Sequence, residues 1–156
     1  MLPRTWRRAA RARLAAWRAW LARTFRSYGR AELLQALRQL GVAPGDTVML
    51  HSAWSAAHGF RGSIDELIDV FAEAVGPQGH LLMVSLPFGG ASIDWLERGR
   101  AFDVRRTPSM MGMVSEMFRR RADVLRSLHP THPILARGPQ AARFIDGHPL
   151  DRKSVV

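Results

Sequence analysis

The fold is decided by the stretch GDTVMLHS (residues 45–52), where a tight turn leads into an apolar run that ends on two polar residues. This pattern predicts a strand over Thr47–His51, buried on both faces as a strand of a parallel sheet is. His51 and Ser52 then fall at its carboxyl end, which is where ligands gather in open α/β sheets.

Helices and strands alternate on both sides of this strand. A helix is predicted over Arg30–Leu40, and a second over Ser63–Val75, where the residues SIDE form a capping box. Further strands are predicted over Leu81–Ser85 and Ile134–Ala136, with a short helix over Pro139–Ile145. The alternation indicates a layered α/β/α domain with a largely parallel sheet.

The segment FDVRRTPSMMGMVSE (residues 102–116) combines a predicted helix start with two arginines, Arg105 and Arg106. Thr107 is a good N-cap and Pro108 suits the first helical position. The amino end of a helix attracts phosphate or carboxylate, and adjacent guanidiniums strengthen that attraction. The segment is therefore a candidate anion site, although many capped helices near arginines bind only water and salt. The preceding stretch, Gly89–Asp103, reads as a polar loop.

Composition places the positive charge at one end of the chain. The formal net charge is +10, and the first 30 residues hold nine arginines and no acidic residue. The other 126 residues carry 14 basic and 13 acidic side chains and are nearly neutral. The sequence has no cysteine, which excludes disulfides, thiolate metal sites and a cysteine nucleophile. We expect a cytoplasmic protein, because no apolar run is long enough to span a bilayer.

Residues 1–29 are predicted to form a basic amphipathic leader helix. Its apolar residues recur every three or four positions and make one stripe surrounded by arginines; they are Trp6, Ala10, Leu14, Trp17 and Leu21. Three interpretations stay open: an extension that packs on the domain or starts at a wrongly assigned codon, a helix that lies on an anionic membrane, and an RNA-binding segment.

Five segments of the sequence together resemble the aminoglycoside 3-N-acetyltransferase family, in its order and at its spacing. They are GDTVMLHSAWS (45–55), VGPQGHLLM (75–83), FDVRRTPSMMGMVSEMFRR (102–120), RSLHPTH (126–132) and HPLD (148–151). The resemblance covers roughly residues 33–151 and leaves out the leader. It implies transfer of an acetyl group from acetyl-CoA to an amine of an aminoglycoside, with no metal ion.

The resemblance also implies site residues in this chain. The loop from His51 to Ser55 is expected to face the cofactor. The residues expected to contact CoA are His51, Ser52, Ser55, Arg105, Arg106, Thr107 and Ser109; those expected to line the same cleft are Arg126, Ser127, His129 and His132. His129 and His132 make a poor metal pair, since neither a carboxylate nor a third histidine is near them in sequence.

The family's catalytic histidine and glutamate belong to a distal T-L-L-H-x-x-E-type segment that nothing in these 156 residues matches. We therefore expect residues 30–151 to be the cofactor-side part of an acetyltransferase domain, truncated at its C-terminal end and inactive alone. The last six residues, DRKSVV, can be encoded by the opening bases of a common sequencing adapter, so residues 152–156 are expected to be a non-native tail.

Two other functions remain open at this point. The first is an N-acyltransferase for a different amine in sugar or natural-product biosynthesis, since the neutral body shows no acidic patch. The second is a basic protein that acts through its leader at a membrane surface or on RNA. For the acetyltransferase, the expected partner is a small-molecule amine, with no nucleic acid and with membrane contact only through the leader.

Overall fold

The computed structural model describes residues 4–55, 59–99 and 101–148. The elements in chain order are α1 (Arg4–Phe25), α2 (Arg30–Gln39), β1 (Thr47–Met49), α3 (Ile64–Val75), β2 (His80–Val84), α4 (Ser92–Glu97), α5 (Met113–Arg119), β3 (Leu125–Arg126), β4 (Ile134–Arg137) and a 3-10 helix (Ala141–Phe144). The α/β class is confirmed. The proposed non-native tail, residues 152–156, lies outside the described residues.

The four strands form one sheet in the order β1-β2-β4-β3. β1 pairs with β2 in parallel, while β4 pairs with β2 and with β3 in antiparallel fashion. The prediction of a largely parallel sheet is therefore wrong. β1, β2 and β3 run in the same direction, but β4 runs in the opposite direction between β2 and β3. The cause is the short β3–β4 connection (residues 127–133), because a parallel pair needs a crossover of a dozen or more residues.

One face of the sheet carries the main core. α3 and α5 pack directly on it, with Ile68 and Phe118 fully buried against Leu81, Met83 and Leu135. α2 packs on α3 and belongs to a smaller cluster. The capping box at Ser63 forms as predicted: its Oγ accepts the Glu66 N–H, and the Glu66 carboxylate accepts the Ser63 N–H.

The other face of the sheet is thinly covered in the part of the chain described. On this face Leu82 and Ala136 form a small cluster with Ala141 of the 3-10 helix, against which Phe144 and Ile145 pack. The prediction that the first strand is buried on both faces is wrong, since Met49 is 43% exposed. β1 lies at the edge of the sheet, and its outer face has no covering helix among the described residues. The second helical layer of the predicted α/β/α sandwich is thus reduced here to one 3-10 turn.

α1 is a helix of 22 residues, as the leader pattern predicts. Among its described side chains only Ala22 is buried, near the junction with the body. There the Tyr28 N–H donates to the Gly59 carbonyl. Gly59 has φ +80, and a Cβ at this position would lie 2.5 Å from the Arg26 carbonyl oxygen, so only glycine fits. No described helix is both long enough and apolar enough to cross a membrane.

Replacing Ile68 by alanine tests the location of the core. Ile68 is fully buried between α3 and the sheet, so Ile68→Ala should lower the free energy of unfolding by about 2–5 kcal/mol. Ile93, which is 57% exposed on α4, is the matched control and should cost about 0.5 kcal/mol or less. Urea denaturation measures both, and equal losses would contradict this assignment of the core.

Candidate functional site

Three strand-flanking segments meet at one edge of the sheet, which we call the strand-end edge: residues 50–52, 85–88 and 127–133. The Leu50 N–H donates to the Leu82 carbonyl at 2.8 Å, continuing the β1–β2 ladder. The Ser85 N–H donates to the Pro133 carbonyl at 2.9 Å, which joins the end of β2 to the start of β4. Because β1, β2 and β3 all end here, the predicted site residues that follow them are brought to one side of the molecule.

A small pocket of about 40 Å³ opens at this edge. His51 and Ser52 line it together with Ser115 from α5, and their predicted contact with CoA stays a prediction; the remaining lining residues are Leu50, Met83, Val84 and Met111. Both predicted residues are exposed, so an external molecule can reach them. Ser55 is also exposed but does not line this pocket, and its ligand role stays a prediction.

The helix predicted to start at Thr107 does not start there. α5 begins at Met113, after Gly112, whose φ of +114 favours glycine. Residues 103–107 form a turn instead. The Asp103 carboxylate accepts the N–H groups of Arg105 and Arg106, and the Thr107 hydroxyl accepts the Asp103 N–H. Aspartate and threonine often stabilise turns in this way, in competition with a helix.

The arginines on this turn keep their charged ends toward solvent. Arg105 and Arg106 are exposed and form no salt bridge with any described carboxylate. The hydrogen bonds from their N–H groups lower the pKa of Asp103, and its carboxylate therefore stays charged beside them. The anion-binding character predicted for this segment thus rests on two exposed guanidiniums and not on a helix end.

Ser109 joins the 103–112 segment to α5 and β2. Its hydroxyl lies 2.9 Å from the Ser115 hydroxyl, which donates to the Val84 carbonyl at 2.7 Å. The Ser109 N–H donates to the Glu116 carboxylate at 2.8 Å. This N–H group was predicted to bind an external anion, but here it binds a carboxylate of the chain itself. Ser109 is buried, and its contact with CoA stays a prediction.

Glu116 is the main acidic group near the strand-end edge. Arg119 makes two hydrogen bonds to it, Ser109 and Arg120 add one each, and Arg119 also donates to the Arg105 carbonyl. The hydrogen bonds from Arg119, followed by those from Ser109 and Arg120, lower the pKa of Glu116 from 4.5 to about 2. The carboxylate is therefore fully ionised near neutral pH and fixes the turn over α5.

Arg126, predicted to line the cleft, is instead buried beneath it. Its guanidinium donates to the carbonyls of Ser85, Val104 and Thr107 and lies 4.7 Å from the centre of the Phe102 ring. Burial, together with the positive charge of Arg119, lowers its pKa to about 10. The residue ties the 102–107 segment to the end of β2, which makes it a positioning residue.

The 127–132 segment brings its polar residues together with His148. The Ser127 hydroxyl accepts the Ile134 N–H and lies 2.7 Å from Nδ1 of His148. Nδ1 of His129 accepts the His132 N–H at 2.9 Å, so a neutral His129 carries its proton on Nε2. The rings of His129 and His148 are 4.9 Å apart. His148 was not selected from the sequence, although it opens the HPLD segment.

A second cleft, of about 250 Å³, lies beside the first. Met110 and Met111, which are adjacent in sequence, line one cleft each. The second cleft is lined by Pro87, Phe88, Gly89, Asp94, Trp95, Arg98 and Met110. The ring centre of Phe88 lies 6.2 Å from that of Trp95 and 6.3 Å from that of His132. Phe88 therefore connects the second cleft to the strand-end edge. The prediction of a loop over residues 89–103 is wrong here, because α4 forms one wall.

No metal site appears within residues 4–55, 59–99 and 101–148, where no group of three or more potential ligands is close enough to hold an ion. His129 and His132 are buried or half-buried against Thr131 and each other. The described arrangement can offer exposed guanidiniums, the exposed imidazole of His51 and exposed hydroxyls to a ligand at one edge of the sheet.

Neutralising Glu116 should destabilise the chain in a pH-dependent manner. Its folded pKa, about 2, lies below the ordinary 4.5, so its stabilisation is complete above pH 4.5 and is lost as the pH falls toward 2. At pH 7 we expect Glu116→Gln to lower the free energy of unfolding by roughly 3 kcal/mol, measured by urea denaturation. The difference from wild type should shrink below pH 4.5. Glu97→Gln, at an exposed position, is the control, and a pH-independent difference for Glu116→Gln would contradict this role.

Comparison with known sequences finds that the chain is similar to aminoglycoside N(3)-acetyltransferases. The aminoglycoside N(3)-acetyltransferase VIII of Streptomyces fradiae is 33% identical in an alignment of 135 residues, and the match covers 78% of this chain and 47% of that protein. The aminoglycoside N(3)-acetyltransferase IV of Salmonella sp. is 34% identical in an alignment of 118 residues, and the match covers 74% of this chain and 42% of that protein. The chain thus spans about half the length of the curated relatives it matches.

The chain is also similar to solved structures of aminoglycoside acetyltransferases. The chain superposes on aminoglycoside acetyltransferase AAC(3)-Xa with a TM-score of 0.68 and 32% identity, covering 80% of this chain and 48% of that one. It matches AAC-IIIb in its binary complex with CoASH with a TM-score of 0.67 and 29% identity, covering 80% and 51%. A mutant AAC(3)-IVa in complex with a gentamicin matches with a TM-score of 0.65 and 33% identity, and the match covers 76% of this chain and 43% of that one.

A family model described as aminoglycoside 3-N-acetyltransferase matches residues 49–155, and these include all the segments described at the strand-end edge. This match covers more than half of the 156 residues. The chain therefore belongs to the aminoglycoside 3-N-acetyltransferase family.

Proposed function

We propose that this chain is the CoA-binding portion of an enzyme that transfers an acetyl group from acetyl-CoA to an amine of an aminoglycoside. The observation that carries the proposal is the convergence of exposed polar groups at the strand-end edge of a chain from this family. The relatives whose structures contain CoASH or gentamicin support the two substrate classes. We also place the chain in the cytoplasm, where acetyl-CoA is available.

The two exposed guanidiniums of the 103–107 turn fit the phosphates of CoA. Arg105 and Arg106 have no salt bridge to a described carboxylate, and arginine binds phosphate through paired, charge-assisted hydrogen bonds. Arg126 and Arg119 fix the backbone of this turn through its carbonyl groups. In the proposal the turn grips the phosphates, while the pocket beside His51 and Ser52 receives the acyl end.

The transfer itself forms a bond between the amine nitrogen and the acetyl carbon and breaks the carbon–sulfur bond, so that the CoA thiol leaves. The amine proton must pass to a base, and the oxyanion that develops on the carbonyl needs hydrogen-bond donors. The resemblance assigns the base to a histidine and glutamate in a segment that has no counterpart in these 156 residues. We therefore assign no catalytic residue here, and CoA binding is the direct test.

A different amine is the second candidate for the acceptor. Aminoglycosides are polycations, yet Asp94 is the only carboxylate among the described residues that line the two clefts at this edge. Phe88 and Trp95 make the second cleft partly aromatic, a surface that suits a less charged amine. An acceptor screen on the enzyme encoded by the complete gene, with gentamicin and amino sugars that carry a single amine compared at equal concentration, separates the two.

Neutralising both turn arginines should weaken CoA binding to this chain. Arg105→Gln/Arg106→Gln removes the groups proposed to hold the phosphates, and we expect the dissociation constant to rise roughly tenfold or more. Isothermal titration with CoA measures the change. Titration with pantetheine, which lacks the phosphates, should show no difference between the two forms.

Two exposed arginines away from the strand-end edge provide a matched control. Arg38→Gln/Arg143→Gln removes the same amount of charge and should leave CoA binding unchanged. The proposal fails if wild-type chain does not bind CoA, or if both double variants weaken binding equally, since the effect would then come from net charge.

A further inference from the structure

α1 carries an uncovered apolar stripe. Trp6, Ala10, Leu14, Trp17 and Leu21 follow one another at spacings of three and four, which places them along one side of the helix. Large apolar side chains are rarely left in water when they are contiguous. Here the exposed fractions are 69% for Trp6, 44% for Leu14, 56% for Trp17, 56% for Trp20 and 71% for Phe25.

Arginines border this stripe on both sides. At 100° per residue, Arg13 lies beside it on one flank, and Arg11 and Arg18 lie on the other. None of the three forms a salt bridge with a described residue. The first 30 residues contain no acidic side chain at all, so this charge has no local counterpart.

The body of the protein leaves the stripe open from Trp6 to Trp17, while Leu21 at its carboxyl end is half-buried. Ala22 is the one buried residue among the described side chains of α1, and it faces the junction at Gly59. On a helical wheel Ala22 lies on the arginine-rich side, between Arg11 and Arg8, well away from Trp6 and Trp17. The helix can therefore keep its contact with the body while the tryptophan side meets another surface.

We propose that α1 docks the protein on an anionic lipid surface. The stripe lies in the boundary between headgroups and acyl chains, and the flanking guanidiniums pair with lipid phosphates. Tryptophan is well suited to this boundary because its ring is apolar and its N–H can hydrogen-bond to the headgroups. A nucleic acid would satisfy the arginines but would leave Leu14 in water. This proposal does not depend on acetyl transfer.

Vesicle binding by the whole chain tests the proposal. The chain should sediment with equimolar phosphatidylcholine–phosphatidylglycerol vesicles and stay in the supernatant with phosphatidylcholine alone. Arg11→Gln/Arg18→Gln should lower the partition coefficient about thirtyfold, since each basic residue near an anionic surface contributes roughly fivefold. Trp6→Ala/Trp17→Ala should also reduce binding. Arg38→Gln and Leu40→Ala, at exposed positions of α2 and its C-cap, are the matched controls and should bind as wild type does.

A fluorescence measurement leaves α1 unchanged and covers the case in which an α1 variant misfolds. With Trp54→Phe and Trp95→Phe, the tryptophans that remain all lie on α1. Anionic vesicles should shift their emission to the blue, and a brominated lipid should quench it. The proposal is overturned if the anionic vesicles do not bind, if neutral vesicles bind equally, or if quenching is absent. It is also overturned if poly(U) RNA or a second copy of the chain binds the helix while vesicles do not.

Discussion

The buried guanidinium of Arg126 is the interaction on which the strand-end edge depends. It donates to carbonyls of Ser85, Val104 and Thr107 and forms no salt bridge with a described carboxylate. A buried cation without a salt bridge is costly unless its donors are used. Here the three carbonyls, the Phe102 ring and the charge of Glu116 stabilise the guanidinium, while its Nε has no hydrogen-bond partner among the described residues. These hydrogen bonds hold the 102–107 segment across the end of β2. The segment belongs to no strand or helix, so its position depends on them.

The remaining charges are divided between structure and ligand. Glu116 takes the donors of Arg119, Arg120 and the Ser109 backbone, so these groups serve the fold. Arg105 and Arg106 are left exposed above the same scaffold. This division gives one short segment a fixed backbone together with two cationic side chains that face outward.

Local patterns in the sequence predicted the elements that depend on local interactions. The capping box at Ser63 and the leader helix are examples, and the strand-end position of His51 followed from its apolar run. The strand at Ile134–Ala136 was predicted, but its reversed direction was not, because the direction depends on pairing between distant residues. Thr107 was predicted to be an N-cap because threonine is common both at helix caps and in turns. The structure has a turn there, because the Thr107 hydroxyl accepts the Asp103 N–H and the helix begins only after Gly112, whose φ is positive.

The central claim is that the strand-end edge of this family member is where CoA binds. Hydrogen–deuterium exchange of the chain with and without CoA tests it most directly, because it reports protection along the backbone. We expect slower exchange of the amides in residues 50–55 and 103–111, with α1 unchanged. Protection confined to α1 or to the 3-10 helix, or no protection at saturating CoA, would contradict the account.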